Sequence, residues 1–180
     1  MAVTYVALLR GVNVGGNNKL PMKDLADMFV ATGCGDVRTF IQSGNVMFRA
    51  DAGAAEQLAG LITAKIAERF GFRTPIVLRT SEQMRDVVVS NPFLTQGAPE
   101  DWLHVMFLAD RPNQLRVDAL DPNRSPTGAF VVRGPDVYLQ LPRGVAEGKL
   151  TNAYFDSKLA TVSTVRNWRT VTKLLGLMEG

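Results

Sequence analysis

One cysteine and one histidine stand in the 180 residues of this chain. The lone Cys34 excludes an intramolecular disulfide and any multi-cysteine zinc site, and it fits a reducing compartment, so a cytoplasmic location is expected. The lone His104 falls in an alternating apolar stretch (Leu103, Val105 and Phe107 against His104, Met106 and Leu108), where a structural imidazole is the plain expectation. Ser43 is the best-placed hydroxyl nucleophile, yet nothing near it in sequence activates it, and a turn serine is the default. Acidic residues are scattered, so neither a carboxylate pair nor a divalent-metal cluster can be named. No metal and no cofactor is expected, and no reaction is indicated. Long apolar runs are also missing. The stretch from Val3 to Leu9 is too short to span a bilayer and lacks the charged flank and cleavage site of a leader, so no membrane association is expected.

What is present begins with charge. The net charge is +3, but it is unevenly placed. Residues 10–23 carry Arg10, Lys19 and Lys23 with no acid, and residues 157–178 carry Lys158, Arg166, Arg169 and Lys173 with no acid. Concentrated charge of one sign points to an anionic partner more directly than the total does, although two solvated surfaces that never meet would read the same way. Hydrophobic residues make up 46% of the chain, enough for one substantial core or two small ones.

Periodicity predicts a strand over residues 3–10, a helix opened by Pro21 and running to about residue 32, strands over 37–41 and 46–49 joined by Gln42-Ser43-Gly44-Asn45, a helix over 54–70, and a strand over 75–80. Thr80-Ser81-Glu82-Gln83 has the form of a capping box for a further short helix to about residue 89. The order β-α-β-β-α-β is that of an α+β, ferredoxin-like sandwich over residues 1–90. In that topology the first two strands run parallel with the third between them, which sends the 10–20 loop and the 42–45 hairpin to the same end of the sheet. Residues 91–102, with Pro92, Gly97 and Pro99, read as a linker to a smaller α+β part over 103–180. That part repeats β-α-β-β-α in outline and ends in helices, the last predicted over 164–178. No residue-level similarity joins the two halves.

The 10–20 loop holds a glycine pair, Gly15 and Gly16, three asparagines, Asn13, Asn17 and Asn18, and the cations Arg10 and Lys19. It has the Gly11-to-Gly16 gap of a phosphate loop but not the lysine and hydroxyl that must follow the last glycine, and it lacks a dinucleotide fingerprint. What survives is a set of backbone donors, amides and a cation ahead of a helix N-terminus. In the predicted 164–178 helix, Arg166, Arg169 and Lys173 share one face and Trp168 lies on the other as a packing residue, while Asn167, a poor residue for a helix interior, is expected to turn its amide toward a ligand or a loop. Tyr5 and Phe48 sit on the strands that carry base-stacking rings in RNA-binding sheets of this topology, but the aromatic consensus is not met.

The segments Arg10 to Met22, Gln42-Ser43-Gly44-Asn45-Val46, Asn91-Pro92-Phe93, Lys149-Leu150-Thr151-Asn152 and Thr164 to Thr170 together resemble the bacterial family numbered 1697 among domains of unknown function. The resemblance covers essentially the whole chain. It implies a two-part α+β protein with a ferredoxin-like first part and carries over no activity, cofactor or catalytic residue. Gly148 stands before Lys149 where relatives are expected to have serine. The expected role is binding of an anionic ligand, a nucleotide or RNA, at the end of the first sheet. Its donors would be Arg10, Asn13, Gly15, Gly16, Asn17, Asn18 and Lys19 from the loop, Gln42, Ser43 and Asn45 from the hairpin, and Arg166, Asn167 and Arg169 from the C-terminal part. The alternatives are an enzyme acting on a small phosphorylated substrate and a non-catalytic interaction module.

Overall fold

Two four-stranded antiparallel sheets are built in succession along the chain in the computed structural model, which describes residues 1–146 and 148–180. The first comprises β1 (Ala2–Leu9), α1 (Met22–Ala31), β2 (Gly35–Phe40), β3 (Asn45–Asp51), α2 (Ala52–Phe70) and β4 (Ile76–Thr80), with strand order β2-β3-β1-β4. This is the ferredoxin-like order predicted from periodicity. Alternate side chains of β1 and β3 (Tyr5, Ala7, Leu9, Val46, Phe48) meet Leu25, Met28 and Phe29 of α1 and Leu58, Ile62 and Ile66 of α2 in one core. The period-2 and period-3.6 patterns thus bury the same set of residues from both sides. Tyr5 and Phe48 stack on each other within that core, centroids 5.5 Å apart. They are therefore not a base-stacking platform.

The second half runs α3 (Ser81–Val89), α4 (Pro92–Thr95), a 3-10 turn (Glu100–Trp102), β5 (Leu103–Leu108), α5 (Gln114–Asp118), β6 (Ala129–Arg133), β7 (Asp136–Gln140), α6 (Asn152–Leu159), β8 (Ser163–Asn167) and α7 (Trp168–Glu179). Its sheet order is β6-β7-β5-β8. The expected helix over 164–178 is corrected here, because residues 163–167 form a strand. The β-branched residues Thr161, Val162, Thr164 and Val165 favour extended backbone. Asn167 then starts the helix from outside it, its Oδ1 accepting from Thr170 N at 2.8 Å. Trp168, 2% exposed, is a packing residue as expected.

The extra strand makes the two halves equivalent in register. Val6 of β1 faces Met47 and Arg79; Val105 of β5 faces Tyr138 and Arg166. Leu9 N donates to Gly44 C=O and Leu108 N donates to Pro135 C=O, both at 2.9 Å. The segments Thr74-Pro75-Ile76-Val77-Leu78-Arg79-Thr80 and Thr161-Val162-Ser163-Thr164-Val165-Arg166-Asn167 align through these pairs. Each ends on a residue whose side chain caps the following helix, since Thr80 Oγ1 accepts from Gln83 N as the capping box predicted. The equivalence is one of topology and register, and in these two segments only Thr74/Thr161 and Arg79/Arg166 are identical.

Contacts divide the chain into one unit of Met1–Met84 with Leu174–Gly180 and a second of Arg85–Lys173. The division falls inside α3 and α7, and residues 91–102 carry α4 and the 3-10 turn. Within the first unit, Arg38 Nη2 donates to Leu177 C=O at 2.8 Å; within the second, Tyr138 OH donates to Val87 C=O at 3.0 Å.

Candidate functional site

The loop after β1 and the hairpin between β2 and β3 meet at one end of the first sheet. Their junction is Asn13. Its Nδ2 donates to Leu20 C=O (2.9 Å) and to Gln42 C=O (2.7 Å), and its Oδ1 accepts from Leu20 N (2.8 Å). One side chain thereby ties the two stems of the loop together and fixes both to the hairpin. Val12 and Leu20, 1% and 0% exposed, anchor the same stems in the core. Gly44 lets the hairpin approach. A Cβ there would lie 2.7 Å from Val12 Cγ2 and 2.8 Å from Leu9 Cβ, and its φ is +86°. Thr74 Oγ1 donates to Arg10 C=O and holds the start of the loop.

Beyond Asn13 the chain forms a miniature hairpin. Asn13 N donates to Asn18 C=O, Asn17 N donates to Val14 C=O, and Gly15 and Gly16 at the tip have φ of +57° and +77°. Positive φ at both central residues is the signature of a tight two-residue hairpin turn. Asn13 and Asn18 also hold positive φ, +56° and +50°, and Asn18 Nδ2 donates to Gly11 C=O at 3.0 Å. Asparagine tolerates this backbone and supplies its own bonds.

The structure therefore sorts the expected donors. Asn13 and Asn18 are committed to the loop itself. Asn45, fully buried, donates from Nδ2 to Phe40 C=O and Ser43 Oγ, closing the hairpin turn. Gly15, Gly16, Asn17, Lys19 and Gln42 are exposed. The main-chain N–H groups of Gly15 and Gly16, the amides of Asn17 and Gln42, and the Lys19 ammonium make no hydrogen bond to the described residues. Arg10 is half-buried at the base of the loop, its N–H on Pro75 C=O.

The C-terminal candidates belong to the second unit and have local roles. Arg166 is 8% exposed, and its Nη1 donates to Thr164 Oγ1 (2.8 Å) and Val165 C=O (2.9 Å). Burial lowers its pKa to about 10, which leaves it charged at neutral pH. Arg79, at the equivalent position, is 5% exposed and donates to Leu78 C=O. Asn167 is the α7 cap, and Arg169 pairs with Asp101 at 2.7 Å. Sequence reasoning missed Thr74, Val12 and Leu20, the residues that hold the loop in place. Alternation of buried and polar positions at the loop stems was the available signal for the last two.

His104 lies in β5, half-buried, its Nδ1 without a partner and its pKa pushed down by burial against a smaller opposing effect of the Trp102 backbone. Among the described residues no cluster of histidine, cysteine or carboxylate groups could hold a metal ion, and no helix is long and apolar enough to cross a membrane.

A comparison with curated proteins gives no match. The chain is similar in fold to a solved structure, the conserved bacterial protein SP0830 from Streptococcus pneumoniae, at 18% identity and a TM-score of 0.71 over 100% of each chain. A family model described as a protein of unknown function, DUF1697, matches residues 2–138. With three quarters of its length matched, the chain belongs to the DUF1697 family.

Proposed function

We propose that the protein binds an anionic ligand, RNA in preference to a free nucleotide, through the exposed tip of the 10–20 loop. The observation that carries this reading is the comparison between the two units. In the second unit, residues 109–113 suffice to join β5 to α5, whereas residues 10–21 join β1 to α1 at the equivalent place. The topology does not need the longer loop. The loop is nevertheless tied down by the Asn13 and Asn18 side chains and takes four positive-φ positions from Asn13 to Asn18. Ordering such a segment is an entropic cost with no core burial at its tip in return.

Its chemistry suits an anion. Two adjacent main-chain N–H groups, the amides of Asn17 and Gln42 and the Lys19 ammonium form a donor-rich surface. The equivalent connection carries Asp110 two residues after its strand, where the first unit has Gly11. A protruding loop touches its ligand from one side, which favours a long polyanion over a small molecule that needs enclosure. With Tyr5 and Phe48 in the core, recognition by this loop rests on phosphate and amide contacts, not on stacking, and so has little base specificity.

The test is fluorescence anisotropy with a labelled single-stranded RNA oligonucleotide and, separately, ATP. Lys19→Ala should weaken RNA binding and lower the salt slope by about one phosphate contact, with folding unchanged. Absence of RNA binding at low salt, or a Lys19→Ala slope equal to that of the wild type, overturns the reading.

A further inference from the structure

The two units present equivalent grooves between their sheet-covering helices, and the grooves differ in charge. In the first unit the groove between α1 and α2, about 590 Å³, is lined by Met28 and Ala31 with Asp27, Glu68, Lys65 and Arg69. Its charges are balanced, and both rims are engaged: Lys23 pairs with Asp27 at 2.8 Å and Arg69 with Asp24 at 3.0 Å. In the second unit the groove between α5 and α6, about 550 Å³, is lined by Asn113, Leu115, Arg116, Ala119, Ser157 and Lys158. Two cations stand there with no acid among the lining residues.

We propose that the α5–α6 groove is a binding site for a small phosphorylated molecule, held by Arg116 and Lys158. Four donors converge on it. Lys158 has no ion-pair partner among the described residues, and Ser157 Oγ makes no hydrogen bond within them. Asn113 uses its Oδ1 to cap α5, accepting from Leu115 N at 2.8 Å, which leaves its amide nitrogen to donate. Arg116 Nη1 makes one long bond, 3.3 Å, to Lys158 C=O, which holds the guanidinium across the groove with its other N–H groups uncommitted.

Apart from that one Arg116 bond, the end of α6 closes without these cations. Ala160, in the left-handed conformation at φ +53°, turns its N–H onto Asp156 C=O, and Thr161 N donates to the same carbonyl. The helix end is thus closed by its own backbone, as in a left-handed C-terminal cap. Leu115, 77% exposed, forms an apolar lip suited to the carbon skeleton of the ligand beside its phosphate. Phosphate takes charge-assisted hydrogen bonds from a guanidinium fork and an ammonium together.

This site is separate from the 10–20 loop, and its test separates the two. The amides of the ¹⁵N-labelled protein are followed by NMR during titration with inorganic pyrophosphate at about physiological ionic strength. Saturable shifts are expected at Leu115, Arg116, Ser157 and Lys158. Lys158→Ala should weaken that binding about tenfold, the loss of one hydrogen bond to a charged group, while Lys65→Ala in the equivalent first-unit groove should leave it unchanged. No saturable shift at α5 and α6, or equal affinity in the wild type and Lys158→Ala, overturns the proposal. Shifts confined to residues 15–19 would also overturn it while leaving the loop reading intact.

Discussion

Arg79 and Arg166 occupy one position in two equivalent strands: Arg79 lies opposite Val6 and Arg166 opposite Val105, and both are buried. Each donates to the main-chain carbonyl of the residue before it, Leu78 or Val165. Removing either guanidinium strands acceptors in the interior and opens a cavity. Arg79→Ala and Arg166→Ala should each lower stability by about 2–4 kcal/mol in urea unfolding. A loss within about 0.5 kcal/mol, the range of ordinary surface changes, would mean that these arginines carry no structural load.

Asn13 and Asn17 separate lock from contact. Asn13→Ala removes three hydrogen bonds at the loop base and should cost about 2–3 kcal/mol. Asn17→Ala removes an exposed amide that bonds to nothing in the chain and should leave stability within about 0.5 kcal/mol. Equal melting temperatures for the two variants would contradict the assignment of Asn13 as the lock.

Gly44 and Gly16 both have positive φ, but only Gly44 is enclosed. Gly44→Ala drives a methyl group into Val12 and Leu9 and should destabilise the protein by more than about 2 kcal/mol, backbone strain and overpacking combined. Gly16→Ala meets no atom within 4 Å and should cost only about 1–2 kcal/mol of backbone strain. Thermal unfolding of the pair orders them.

His104 sets a pH dependence that can be isolated, because the chain has one histidine. Burial lowers its folded-state pKa below the usual 6.5, so the unfolded chain binds the proton more readily. Stability should be fully present above about pH 6.5 and should fall as the pH drops below that value towards the lowered folded pKa, before carboxylates titrate. His104→Gln should flatten the profile in this window. An unchanged slope would show that His104 titrates alike in the folded and unfolded states.

The first sheet was legible in the sequence because each of its elements carries a clean period and a clear stop, such as Gly71 after α2 and Gln42 to Gly44 between β2 and β3. β8 was not, since Arg166, Arg169 and Lys173 happen to fit a helical spacing and Trp168 sits at the boundary between strand and helix. The deciding evidence was tertiary: pairing with β5 overrides a short helical pattern. At the loop, composition identified the segment but not the division of labour within it. Asn13, Asn17 and Asn18 are chemically alike, and only the hydrogen-bond partners reveal that two are committed to the fold and one is not.

In the proposed function the 10–20 loop is a binding element added to a fold that does not require it. Its most direct test is amide NMR of the ¹⁵N-labelled full chain titrated with a single-stranded RNA oligonucleotide. The expected result is progressive shifts at Gly15, Gly16, Asn17, Lys19 and Gln42, with the buried stem residues Val12 and Leu20 little changed because the loop is already formed. Shifts absent from residues 15–19, or confined to other surfaces, would contradict it.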